Sequence, residues 1–168
     1  MFDPGYYLER KVSSAEATVV KSVLFLSSAD SARSQMAAGF LRVLAPDAFE
    51  ASSAGSTAGG VDPRAVAVMA ERGVDISDQR SKGLDEFMGK ARFDFLITVC
   101  DRGEKACPMF PGVGTREYWP VDDPAPRAGD DDLDPFRAAR DYLEQRVRRF
   151  LVERRYKQVV ELPAPAVR

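Results

Sequence analysis

Histidine is absent from this 168-residue chain. Its absence removes histidine general bases, serine–histidine–aspartate triads and most zinc sites from consideration. Cysteine is nearly absent, with two residues. That excludes a secreted disulfide framework; a close pair inside a reducing compartment is either redox-active or simply buried. No apolar run approaches the roughly 20 residues a membrane helix needs. Positive charge is not in excess either: 24 Lys and Arg face 26 Asp and Glu, a net charge of -2. Nothing therefore draws the chain to nucleic acid or to an anionic membrane. The first eighteen residues carry charges but no apolar signal-peptide core, so the expected address is cytoplasmic. What is present is ordinary for a soluble domain: 45% hydrophobic and 30% charged residues, in a length sufficient for one proper core.

Residues 1–18 read as an irregular arm, with Pro4-Gly5 as a breaker. Val19 to Leu26 is a continuous apolar run of the kind buried on both faces of a parallel sheet. A helix is expected from Ser34 to about Ala45, stopped by Pro46, then a strand over Ala48–Ser53 and a glycine-rich turn, Gly55 to Gly60. Asp62-Pro63 opens a second helix by N-cap and first-turn proline, and Gly73 closes it. Ile76 to Lys82 reads as connecting chain and Leu84 to Met88 as a short helix. Strands follow at Phe93–Val99 and Arg116–Trp119, the second leaving through a proline- and acid-rich loop, Pro120 to Asp134. A last helix spans about Pro135 to Arg155, with Phe136, Ala139, Leu143, Val147, Phe150 and Leu151 at helical spacing. The domain thus covers 19–157, and 158–168 reads as a loose tail. Alternation of strand and helix argues an α/β fold: a four-stranded parallel sheet in three layers, with helices on both faces.

The most informative stretch joins the first strand to the first helix. Val23-Leu24-Phe25-Leu26 breaks into Ser27-Ser28-Ala29-Asp30-Ser31-Ala32-Arg33-Ser34 before Gln35-Met36-Ala37 opens the helix. Loop amides, a helix N-terminus and a guanidinium fork then converge on one point, which is the construction of an oxyanion pocket. Taken alone, the same residues also make a strand-to-helix turn whose small side chains merely cap a helix.

Further motifs follow in order: Ser53-Ala54-Gly55, Val61-Asp62-Pro63-Arg64-Ala65, Val74-Asp75-Ile76-Ser77, Ile97-Thr98-Val99-Cys100 with Cys107-Pro108, and Trp119-Pro120-Val121-Asp122-Asp123-Pro124. With these in sequence, the chain over about 19–155 resembles the low-molecular-weight phosphatase superfamily and, within it, the thioredoxin-coupled arsenate reductases. The resemblance implies a small tetrahedral oxyanion (arsenate, phosphate or sulfate) held by residues 28–34, namely Ser28, Ala29, Asp30, Ser31, Ala32, Arg33 and Ser34. It implies no cofactor and no metal. It also implies a three-thiol cycle in which a loop thiolate attacks arsenate, a second thiol releases arsenite, and a third closes a disulfide that thioredoxin reduces. Cys100 and Cys107 hold the second and third places, and Asp123, before Pro124, matches the acid that assists the leaving group.

The first place falls on Ser27, and a further loop cysteine common in these reductases is Ala32. A serine hydroxyl has no anionic form near neutrality comparable to a thiolate; it needs a general base, which only Asp30 or Asp123 can supply here. Serine also cannot carry redox equivalents, so the standard cycle is blocked. Ala29 and Asp30 stand where such loops carry Gly and Asn. Ala29 is expected to strain the loop, and Asp30 to oppose a dianion by about 1 kcal/mol or more.

The leading reading is an arsenate-reductase-like oxyanion binder with Cys100/Cys107 as a residual thioredoxin-linked redox pair. A non-catalytic phospho-ligand or regulatory module, and an enzyme using Ser27 or Cys100 for different chemistry, stay open beside it. Elsewhere the bland readings are preferred. Trp119 and Tyr118 pack, Gly55 and Gly59-Gly60 shape the turn, and Asp130-Asp131-Asp132 are solvated. The arginines Arg146, Arg148, Arg149, Arg154 and Arg155 form the wet face of the last helix.

Overall fold

A computed structural model describes residues 19–103, 107–112 and 114–165, so the arm 1–18 lies outside the described residues. The elements are β1 (Lys21–Ser27), α1 (Arg33–Leu44), β2 (Phe49–Gly55), α2 (Pro63–Ala70), β3 (Phe95–Thr98), β4 (Thr115–Tyr118) and α3 (Asp134–Glu153). Between α2 and β3 the expected short helix is a single 3₁₀ turn, Leu84–Glu86.

The four strands form one sheet in the order β2-β1-β3-β4, all parallel. β1 is internal, which is why Val23 to Ser27 are buried without alternation. The apolar run overreads at its start: Val19 and Val20 are exposed and precede the pairing. Side chains of β1 alternate between two cores. Val23 and Phe25 join an apolar cluster with Met36, Phe40 and Leu41 of α1, Val68 and Met69 of α2, and Leu143, Val147 and Phe150 of α3. Leu24 and Leu26 face the thinner layer, where Phe93 and Phe110 close over them with Leu84 and Phe87 packed alongside.

Two local rules hold in detail. Asp62 caps α2, accepting from the Arg64 amide at 2.9 Å, with Pro63 in the first turn. Gly73 takes φ +69 just past that helix.

The C-terminal segment departs from the expectation of a loose tail. The Val160 amide donates to the Leu44 carbonyl at 3.0 Å, Arg72 Nη1 donates to the Pro163 carbonyl at 2.6 Å, and Leu162 packs on the core. Val159 and Leu162, ahead of the prolines, tie it down.

The last helix also departs from its expected wet face. Arg146 lies over the Trp119 ring, Arg148 pairs with Glu144, and Arg154 stacks on Phe150 and Phe95 while bonding Glu117. Arg149 and Arg155 alone of the five are exposed. Arginine stems cover apolar surface while the guanidinium finds an acid or a ring, which a pattern of charges cannot reveal.

With strand order 2-1-3-4, the chain reverses its winding direction between β1 and β3. Ligands of open parallel sheets bind in the crevice at such a switch point, beyond the carboxyl ends of the strands. Residues 27–33 leave β1 there.

Candidate functional site

The loop between β1 and α1 is held by its carbonyls. Ser28 O accepts from the Thr57 amide (3.2 Å), Ala29 O from the Gly59 amide (2.9 Å) and Ser81 Oγ (3.0 Å), and Asp30 O from Gln35 Nε2 (3.1 Å). Ser31 O accepts from the Asp62 amide and Ala32 O from the Met36 amide, both at 2.8 Å. The carbonyls of Ser28, Ala29 and Ser31 are therefore tied to neighbouring segments, and those of Asp30 and Ala32 to the first turn of α1. A trans peptide opposes its carbonyl and its amide. The amides of residues 29–33 consequently point away from those partners, at the start of α1, which has no side-chain cap.

Gly55, at the end of β2, lets this loop sit so close. A Cβ there would lie 2.7 Å from the Asp30 nitrogen and 2.8 Å from the Ala29 carbonyl carbon. The expected strain at Ala29 is not found. The left-handed residue is Asp30, at φ +48, a conformation that Asp and Asn tolerate better than other side chains.

Asp30 corrects a second expectation. Its carboxylate is turned away from the loop's inner side and fully buried. Ser34 Oγ donates to Oδ1 at 2.7 Å, the Lys82 amide donates to Oδ2 at 2.9 Å, and Lys82 Nζ stands 3.7 Å from Oδ2. Burial pushes the Asp30 carboxyl above its ordinary value, against the opposing pull of Ser34 and Lys82. Burial likewise lowers the Lys82 ammonium, partly offset by Asp30. The side chains of Asp30 and Ser34, expected to line a pocket, thus support the loop from behind instead.

Ser27 Oγ and Ser34 Oγ are 2.6 Å apart, and Ser27 is buried. Ser34 spends its one proton on Asp30, so Ser27 is the donor in this contact.

Arg33 is buried, and its guanidinium is fixed on two sides. Nη1 donates to the Val121 carbonyl at 3.0 Å, while Nη2 donates to Ser28 Oγ at 3.3 Å and lies 3.8 Å from Asp123 Oδ2. Asp123 therefore faces the loop arginine, whereas Asp122 turns outward to an exposed pair with Arg127 at 2.7 Å. Trp119 is fully buried against Phe25 and Phe150, with Nε1 donating to Glu117 at 2.9 Å.

Cys100 continues β3 beside the loop, since the Val99 amide donates to Leu26 O at 2.8 Å. Cys100 and Cys107 are joined as a disulfide with Cα atoms 5.9 Å apart. Cys100 is fully buried and Cys107 partly exposed.

The segment read as mere connecting chain supplies what sequence reasoning missed. Ser81 and Lys82 hold the loop, and Gln79 Nε2 donates to Gln35 Oε1 at 2.8 Å, fixing the amide that grips Asp30 O. These residues lie some fifty positions from their partners, and polar residues in a linker carry no signal of that kind.

Fold and loop together define a class: a parallel α/β protein with an arginine-bearing loop at the carboxyl end of its first strand. The chain belongs to the low molecular weight phosphotyrosine protein phosphatase family, whose model matches residues 22–161. It is 39% identical over 133 residues to an arsenate reductase of Halalkalibacterium halodurans, covering 77% of this chain and 94% of that one. An arsenate reductase of Bacillus subtilis is 37% identical over the same length and coverage. A solved arsenate reductase in the phosphate binding state superposes with a TM-score of 0.69 at 31% identity, covering 80% of this chain and 98% of that one. Among the described residues, no helix is long and apolar enough to cross a membrane.

Proposed function

We propose that the chain binds a small tetrahedral oxyanion at the 27–34 loop and carries Cys100–Cys107 as a thioredoxin-linked redox pair, without completing the three-thiol arsenate cycle. The observation that carries the reading is that all five carbonyls from Ser28 to Ala32 are taken, three by neighbouring segments and two by α1 itself. The opposing amides, with the buried Arg33 guanidinium that Val121 and Ser28 orient beside them, are the donor set a single anion would take. A relative solved in a phosphate binding state adds support.

The position of the thiol that would begin arsenate reduction holds Ser27, whose oxygen cannot be oxidised to the disulfide by which a pair of thiols gives arsenate its two electrons. The downstream pair retains a layout suited to exchange: Cys107 is reachable and Cys100 is sheltered beside the loop. A reducing partner would attack the exposed sulfur. That chemistry belongs in the cytoplasm, where thioredoxin keeps thiols reduced.

The test is arsenate-dependent NADPH oxidation through thioredoxin and its reductase. The chain as written is expected to give none, and Ser27→Cys to give turnover, with Ser27→Cys/Ala32→Cys as the fuller restoration. Turnover by the unaltered chain would refute the blocked cycle. Silence of both variants, with phosphate still bound, would remove the redox role of Cys100–Cys107.

A further inference from the structure

Ser27, Ser34, Asp30 and Lys82 form an unbroken polar line behind the loop. The contacts are Ser27 Oγ to Ser34 Oγ at 2.6 Å, Ser34 Oγ to Asp30 Oδ1 at 2.7 Å, and Asp30 Oδ2 to the Lys82 amide at 2.9 Å. Ser27, Ser34 and Asp30 are each at least 97% buried, so the line is shielded from bulk water. Ser34 and Asp30 support the loop from behind, and the same contacts put Asp30 Oδ1 in line with Ser27; a thiolate at 27 would need no base. A serine does.

We propose that Ser34 and Asp30 form a proton relay that makes Ser27 an oxygen nucleophile, so that the chain takes the phosphoryl group of a phosphate monoester as a covalent phosphoserine. This rests on the reading of 27–34 as an oxyanion pocket. Ser27 Oγ attacks phosphorus as the bond from phosphorus to the alcohol oxygen breaks. The Ser27 proton passes to Ser34 Oγ, and the Ser34 proton passes to Asp30 Oδ1. Asp123, 3.8 Å from Arg33, is placed to protonate the departing alcohol. Water then attacks phosphorus and gives its proton to Asp123, Ser27 leaves, and the relay runs backward.

Ser27 is the catalytic residue here; Ser34 and Asp30 are positioning and relay residues. Burial of Asp30 suits it to hold a proton transiently, since its carboxyl is raised above the ordinary range. The charged groups toward it are Lys82, at 3.7 Å, and more remotely Arg80; the Ser53 hydroxyl also faces it. Lys82 opposes that rise.

The experiment incubates the full chain with p-nitrophenyl phosphate and reads the nitrophenolate burst together with intact and peptide mass. A stoichiometric burst and one phosphoryl increment on the peptide holding Ser27 are expected. Ser27→Ala should abolish both. Asp30→Asn should slow phosphoserine formation about a hundredfold and remove the acid limb of its pH–rate profile. Ser34→Ala should slow it similarly, while Ser34→Thr, which keeps the hydroxyl, should restore the rate.

Titration of each variant with inorganic phosphate separates loss of the relay from loss of the pocket. Unchanged phosphate affinity with a lost burst assigns the defect to the relay. Phosphate binding by the unaltered chain without phosphoserine overturns this inference and leaves the oxyanion reading standing. So does equal phosphoserine formation by the chain and its Asp30→Asn variant. Failure to bind phosphate at all overturns both.

Discussion

Gly55 and Asp30 meet where β2 ends and the loop begins its turn. An alanine methyl at 55 would lie 2.7 Å from both the Asp30 nitrogen and the Thr57 carbonyl oxygen, atoms of two backbone segments fixed by other bonds. Gly55→Ala should therefore cost about 1–3 kcal/mol of stability and weaken phosphate binding, read by urea unfolding and calorimetry. Asp30 gives a second outcome. Its folded-state carboxyl is raised above 3.8, so the folded chain holds this proton more tightly than the unfolded chain. The stabilising contribution of that proton is whole below pH 3.8 and is lost as pH rises through the folded value. Unfolding midpoints measured from pH 4 to 7 should fall for the unaltered chain relative to Asp30→Asn. At this scale Ser27, Arg33 and Asp123 were legible in position, because a strand end, a helix start and the order of motifs locate them. The direction of Asp30 was not. A sequence gives no sign of whether a loop carboxylate faces the ligand or the core, and here the αL backbone at Asp30 sends it inward to Ser34 and Lys82.

Elements α2 and α3 are clamped by Glu71, at the C-cap of α2, which accepts from Arg137 (2.7 Å) and from the buried Arg140 (2.6 Å) of α3. Hydrogen bonding from Arg137, then Arg140, holds the Glu71 carboxyl down to about 2, against an ordinary 4.5. A depressed carboxyl stabilises the fold above the unfolded value and loses that contribution as pH falls through the folded one. Glu71→Gln should cost about 1 kcal/mol at neutral pH, a figure reduced for the carboxylate's solvent exposure. The gap should close as pH falls from 4.5 to about 2, as followed by thermal unfolding. The helices themselves were legible: Asp62-Pro63 marked the start of α2, and the spacing from Phe136 to Leu151 marked α3. The clamp was not, since Glu71 and Arg140 are 69 residues apart and each alone reads as surface charge.

In the whole molecule, the sheet order 2-1-3-4 brings the loop, Cys100 and the Asp123 turn to one end, joined by bonds between neighbouring strand ends. The Val121 amide donates to Cys100 O, and Val121 O accepts Arg33 Nη1. Parallel topology was legible from the alternation of strands and helices. Tail docking and the thin second layer were not, because both depend on contacts between distant residues. The Cys100–Cys107 bridge closes a short ring, so its reduction should cost about 2 kcal/mol by loop entropy, measured by urea unfolding with and without a dithiol reductant. By the proposed reading, the tied carbonyls of the loop and Arg33 make an anion pocket despite Ser27. Calorimetric titration with inorganic phosphate tests it most directly. Saturable binding of one phosphate per chain, lost in Arg33→Ala, is predicted; no binding by the unaltered chain, or equal binding by the variant, would contradict it.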